Sequence, residues 1–388
     1  MTKSTSGPQH PPAGADRSTR PTPTLQQALQ LHQAGRLAEA EAIYRRILAL
    51  HPRHPDALHL LGVIAQQSGD AATALTRIDA AIAVADGVAE YHYNRGVVLL
   101  RLGRAAEAEP SLRRALALKP FYPDAYNALG NALRRRHQPE AAIDEYRRAL
   151  AQRPDHIDAW CGLAAALQDK GDLSSAEASY RSTLARRPDH APAWHGLASV
   201  QRELAAFDDA IASYRRAVAA DSANQRHWLD LADALAEFDQ VDEARACLQD
   251  ILARWPDTAD ALVGLARLAS RAGDHPSAHA HLTAVLVRDP DYVDALCAML
   301  DIPDRAVGVT LSERAERLAE DEERPLLHRS RLRFALARAD DRAGDDDRAF
   351  DHYRHGNDLR RRDLEAMGKR FDAAVYAAFV DRQVAAFT

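Results

Sequence analysis

Long apolar runs, paired cysteines and glycine-rich phosphate loops are all missing from this sequence, and each gap removes a class of protein. No stretch approaches the roughly 18 consecutive apolar residues that a membrane-spanning helix needs, and the N-terminus lacks the basic-then-apolar order of a secretion signal. A cytoplasmic protein without a membrane partner is the expectation. Only three cysteines occur, Cys161, Cys247 and Cys297, far apart and without C-x-x-C spacing, which argues against a disulfide framework or a zinc site. The 50 basic and 56 acidic residues leave a net charge of -6, so no overall field draws the chain to nucleic acid or to an acidic membrane. No strand-to-helix glycine loop is present to cradle phosphates, and no cofactor is expected. Aromatic residues make up only 6%, and the apolar set is dominated by Ala and Leu, which favour helix packing over β-structure. What remains is 46% hydrophobic and 27% charged, enough apolar surface for a continuous core in an all-α fold.

Residues 1–20 are rich in Pro, Ser, Thr and Gly with almost nothing apolar to bury, the composition of a disordered leader. From about residue 21 the chain repeats itself every 34 residues. The recurring small residue is Ala40, Ala74, Ala108, Ala142, Ala176, Ala210, Ala244 and Ala278, and four residues later comes a bulky one, Tyr44, Ile78, Leu112, Tyr146, Tyr180, Tyr214, Leu248 and Leu282. Twelve residues after most of these alanines stands a proline, as at Pro52, Pro120 and Pro290, which ends the second helix. The first helix of most units carries a leucine followed by a small residue, as in Leu61-Gly62, Leu129-Gly130 and Leu197-Ala198. Between the two helices a turn holds Gly35, Gly69, Gly103, Gly171 or Gly273, with His137, Ala205 and Asp239 in the other three units. Glycine suits a left-handed turn.

A 34-residue helix–turn–helix unit with these small, bulky and proline positions resembles the tetratricopeptide repeat. The resemblance implies an α-solenoid, a superhelix of stacked hairpins, because one hairpin cannot hide its apolar face until the next covers it. Eight units are expected over 21–292. The phase is lost over 293–327, an irregular helical break in which Ser312 is placed to cap a short helix through Arg317. Over 328–388 a divergent ninth hairpin is expected, with Gly344 in its turn, followed by a helical connector whose Phe371, Val375, Ala378 and Phe379 share one face.

The last segment also resembles the connector of bacterial proteins that join such repeats to a sulfotransferase domain. Phe334, Ala335, Leu336, Gly344, Ala349, Tyr353, Gly356, Asn357 and the Arg360-Arg361-Arg362 run carry that likeness. In that family an Arg-Ser-Gly-Thr-Thr type phosphate loop follows, and no such loop occurs in these 388 residues. The resemblance therefore implies either the recruiting arm of a PAPS-dependent sulfotransferase whose catalytic domain is absent from this chain, or an adaptor without catalysis.

In repeats of this family the first helices line the concave groove, where a protein or peptide would be held. Asn94 and Asn131 fall at positions similar to the asparagine ladder of the O-GlcNAc transferase repeats, with Asn127 beside them. An Asn amide can pair with both the N–H and the C=O of a bound backbone; the alternative is a solvated asparagine with no ligand. Arg134, Arg202, Arg267 and Arg271 fall toward the same face and could meet an acidic peptide or terminal carboxylate, or form a solvated charged face. Trp160, Trp194 and Trp228 recur at one position and are expected in the packed helix interface. No metal site is expected: His51, His54 and His59 match no ligand spacing, and the acidic runs Asp340-Asp341 and Asp345-Asp346-Asp347 lack the glycine of a calcium loop.

Overall fold

The structure, a computed structural model, describes residues 24–303 and 308–366. The expected leader and the Phe371 to Phe379 face lie outside these residues. Two compact units divide the chain, Met1–Ala128 and Leu129–Thr388. Among the described residues there are twenty helices and no strand.

The first unit holds three hairpins, α1 (Leu25–Gln33) with α2 (Leu37–Leu50), α3 (Pro55–Gln67) with α4 (Ala71–Val84), and α5 (Ala89–Arg101) with α6 (Ala105–Leu118). Helix α7 (Pro123–Arg135) spans the division, and α8 (Pro139–Gln152) follows it. The second unit continues with α9 (Ile157–Lys170) and α10 (Leu173–Arg186), α11 (Ala191–Glu203) and α12 (Phe207–Ala220), α13 (Gln225–Glu237) and α14 (Val241–Arg254), and α15 (Ala259–Arg271) and α16 (His275–Arg288). It closes with α17 (Val293–Asp301), α18 (Gly308–Glu320), α19 (Leu326–Ala343) and α20 (Asp346–Ala366).

The periodic residues form the core. All eight recurring alanines are fully buried, and the eight bulky residues four positions on, from Tyr44 to Leu282, are buried with them. Each of the eight turns contains a left-handed residue, and at His137, Ala205 and Asp239 a residue with a side chain accepts that conformation, with φ of 56°, 58° and 61°. For an L-residue it costs roughly 1–2 kcal/mol.

Two expectations change. Ser312 does not cap a helix: it lies inside α18, which begins at Gly308, because Leu311, Ala315, Leu318 and Ala319 make an apolar stripe that packs with α17 and α19. Packing of that stripe, rather than a local cap, decides where the helix runs. The tryptophans are less deeply buried than a core position, although Trp228 does pack against the cluster of Leu231, Leu235 and Leu248. Trp160, Trp194 and Trp228 are half-buried, and each indole N–H donates to the carbonyl six residues back, Pro154 at 2.9 Å, Pro188 at 2.7 Å and Ser222 at 3.1 Å. A buried Trp needs a partner for its N–H, and here the loop entering each repeat supplies it.

Candidate functional site

Counting each 34-residue repeat from the first residue of its first helix, at Pro55, Ala89, Pro123, Ile157, Ala191, Gln225 and Ala259, the candidate residues fall at a few recurring positions. First helices of neighbouring repeats touch directly, and the polar side chains there bond to one another about 35 residues apart. In the first compact unit, the ring of His32 lies 3.2 Å from the Gln67 amide oxygen, Arg101 donates to the Gln66 carbonyl at 3.0 Å, and Asn94 donates to His59 Nε2 at 2.7 Å. In the second, Arg134 pairs with Asp169 at 3.3 Å and Arg202 with Glu237 at 3.8 Å. Gln168 donates to Glu203 at 2.5 Å, and His195 lies 2.6 Å from Asp230. Arg271 donates to the Ala236 carbonyl at 2.8 Å and pairs with Asp239 at 3.1 Å. These are rungs between successive repeats, each worth at most about 1 kcal/mol where exposed.

The rungs account for most of the candidates. Asn94 is half-buried against His59, and burial lowers the His59 pKa to about 4 so that its Nε2 stays an acceptor. Asn131 is also half-buried and accepts the Tyr146 hydroxyl at 2.7 Å. The side-chain oxygen of Asn127 is buried without a hydrogen-bond partner. Arg134, Arg202 and Arg271 are already paired, whereas Arg267 is exposed and has no hydrogen bond or ion pair among the described residues. Arg202 and Arg267 both act on Asp233, whose carboxyl burial raises above its ordinary range and the two guanidinium groups pull back. Asp230 behaves oppositely. Burial alone would raise it, but hydrogen bonds from His195 and Arg226 outweigh burial and hold it below the usual carboxylate range.

The gap in the asparagine pattern has a steric cause. The sixth position, which carries Asn94 in its repeat, carries Gly162, Gly196 and Gly264 in three later ones. A Cβ added at Gly162 would lie 2.4 Å from the Tyr146 ring, at Gly196 2.2 Å from the Tyr180 ring and at Gly264 2.9 Å from the Leu248 side chain. The bulky residue of each preceding repeat occupies that space. Sequence reasoning missed these glycines, although each stands 16 residues after a Tyr or Leu of the core.

It also missed a cleft of about 620 Å³ walled by α15, α17 and α19. Arg267 and Arg271 meet Arg331 and Arg338 there, with Asp301 as the one acidic residue of the wall. Arg338 holds Asp301 through two hydrogen bonds of 2.8 and 2.9 Å, and Arg331 pairs with Asp294. The apolar part includes Leu282, Ile302 and Phe334, and Phe334 is pressed against Gly356 of α20, where a Cβ would lie 2.9 Å from the ring. Among the described residues no group of three His, Cys, Asp or Glu residues could hold a metal ion, and no helix is long and apolar enough to cross a membrane.

Family profiles described as tetratricopeptide repeat match residues 21–64, 59–123, 133–200, 191–224 and 229–293. No curated protein matches the sequence. Yeast Tom70 is similar in structure over 92% of this chain and 95% of its own, at 12% identity and a TM-score of 0.50. The Cut9-Hcn1 hetero-tetramer of APC/C contains a chain similar over 72% of this one and 55% of its own, at 18% identity and a TM-score of 0.53. At these identities the likeness is one of fold, an α-solenoid. With profiles covering most of 21–293 and the same residues building the core, the chain belongs to the tetratricopeptide-repeat family.

Proposed function

We propose that the chain is a non-catalytic scaffold that holds an extended segment of another protein along the first-helix face of its second unit. The carrying observation is the recurrence of polar groups at equivalent positions of successive first helices, Arg134 with Asp169, Gln168 with Glu203 and Arg202 with Glu237. Evenly repeated donors and acceptors suit an extended main chain or a periodically charged segment. Because each exposed pair is weak, a ligand carboxylate can take an arginine from its partner at little cost.

The test places a photo-crosslinking amino acid at Arg202, on the first-helix face, and in a second protein at Arg181, on the neighbouring second helix α10. Crosslinked peptides of one partner, identified by mass spectrometry, are expected from the first site and not the second. Equal yields from both would overturn the proposal.

The alternative is that the array recruits substrate for a PAPS-dependent sulfotransferase domain, carried by the connector-like residues of α19 and α20. Several of these already have a packing role: Phe334 presses against Gly356, and its ring centre lies 6.4 Å from that of Tyr353. An Arg-Ser-Gly-Thr motif encoded in frame or in an adjacent gene downstream is the outcome that would favour it.

A further inference from the structure

We infer that the cleft between α15, α17 and α19 is a pocket for an acidic peptide segment carrying a large apolar side chain beside its carboxylate. This deepens the scaffold proposal and rests on it. Four arginines and one aspartate line the wall. Three of the arginines are committed, Arg338 to Asp301, Arg331 to Asp294, and Arg271 to Asp239 and the Ala236 carbonyl. Arg267 keeps its guanidinium free of hydrogen bonds and ion pairs among the described residues. Its one charged neighbour with a resolved effect is Asp233, whose carboxyl burial raises and the Arg267 guanidinium pulls back without a hydrogen bond.

An uncommitted guanidinium in a cleft that is net positive presents a planar donor fork to a carboxylate. A single free fork suits a singly charged carboxylate better than a doubly charged phosphate, which would need a second arginine released from its acid. Beside these charged groups the lining is apolar, through Leu282, Ile302 and Phe334. A volume of about 620 Å³ is in the range of ligand sites, whose walls are mostly apolar with a few polar groups that fix orientation. Guanidinium and hydrocarbon side by side select a ligand that carries both a carboxylate and an apolar group.

The probe is a fluorescein-labelled Glu-Asp-Phe-Asp-Leu peptide titrated by fluorescence anisotropy against the full chain. Its binding is expected to exceed that of a version with lysine at the acidic positions by at least about tenfold, with a similar loss when alanine replaces Phe and Leu. Arg267→Ala should weaken the acidic peptide by about tenfold, Arg267→Lys should recover part of the loss, and Arg181→Ala on α10 should change nothing. Arg267 makes no structural bond, so the melting curves of its variants should match the parent. Equal affinity of acidic and basic peptides, or no change in Arg267→Ala, overturns the pocket. Loss in Arg202→Ala without loss in Arg267→Ala also overturns it, while leaving the scaffold proposal standing. Dodecanoate competing as well as the peptide would assign the cleft to a small amphiphile and overturn the peptide assignment.

Discussion

Burial holds the His59 ring neutral, with its pKa lowered to about 4 against roughly 6.5 in an unfolded chain. The folded protein therefore takes up this proton only well below the pH at which the unfolded chain does. The stability involved is fully present above about pH 6.5 and is lost as pH falls toward 4. Urea unfolding should show a loss on the order of 2 kcal/mol between about pH 7 and pH 5 from this group, and His59→Gln should flatten that slope. An unchanged slope in the variant would assign the loss elsewhere. Gly196 tests the steric account of the interrupted asparagine pattern, since an alanine there would drive Cβ into the Tyr180 ring. Gly196→Ala should cost about 1–3 kcal/mol, and adding Tyr180→Leu should return part of it; additive losses in the double variant would contradict the shared-space explanation. The polar identity of Asn94 and Asn131 was legible, but their partners were not. Which residue stands 35 positions from Asn94 or 15 from Asn131 is readable, whereas whether the two side chains meet depends on how far the helices are offset.

Among elements, the turns separate what glycine does from what position does. Ala205 holds φ of 58° in the turn before α12, a conformation that strains an L-residue. Ala205→Gly should release that strain, less the entropy glycine adds to the unfolded chain, for a gain of about 0.5–1 kcal/mol. A rise in the urea midpoint at constant slope is the expected measurement, and a fall would show that the turn is not strained. Helix α6 contains Pro110, exposed and well inside the helix, where the missing N–H and the ring oppose helical continuation. Pro110→Ala is expected to stabilise by about 1–3 kcal/mol, read from the thermal midpoint and helical ellipticity. The 34-residue period made α1 to α16 legible because the small and bulky positions recur without a slip and a proline follows most of them. The extent of α18 was not, since its stripe from Leu311 to Ala319 gains meaning only when Leu332, Ala335 and Leu336 of α19 pack against it.

At the scale of the whole molecule, the helices within each unit pack chiefly on near neighbours in sequence, as α3 on α4 or α11 on α12, so stability accumulates locally rather than through one central core. Removing the fully buried Leu282 of α16 should cost about 2–5 kcal/mol, and the loss should stay near its origin. Native-state hydrogen exchange of Leu282→Ala is expected to show faster exchange in α15, α16 and α17 than in α9 to α11. Uniform acceleration through the second unit would mean that it unfolds as a single cooperative body.

Helix α11 illustrates what the rungs imply for a charged ligand. Its Arg202 reaches forward to the Glu237 carboxylate and its Glu203 accepts from the neutral Gln168 amide behind, so the arginine on this stretch already has a carboxylate partner. A carboxylate arriving at Arg202 evicts another carboxylate, a charge-for-charge exchange that leaves little net charge to be screened by salt. One arriving at Arg267 evicts nothing. In ion-exchange terms the rungs are a loaded resin, and selectivity along them follows the alternation of a ligand's charges rather than their sum.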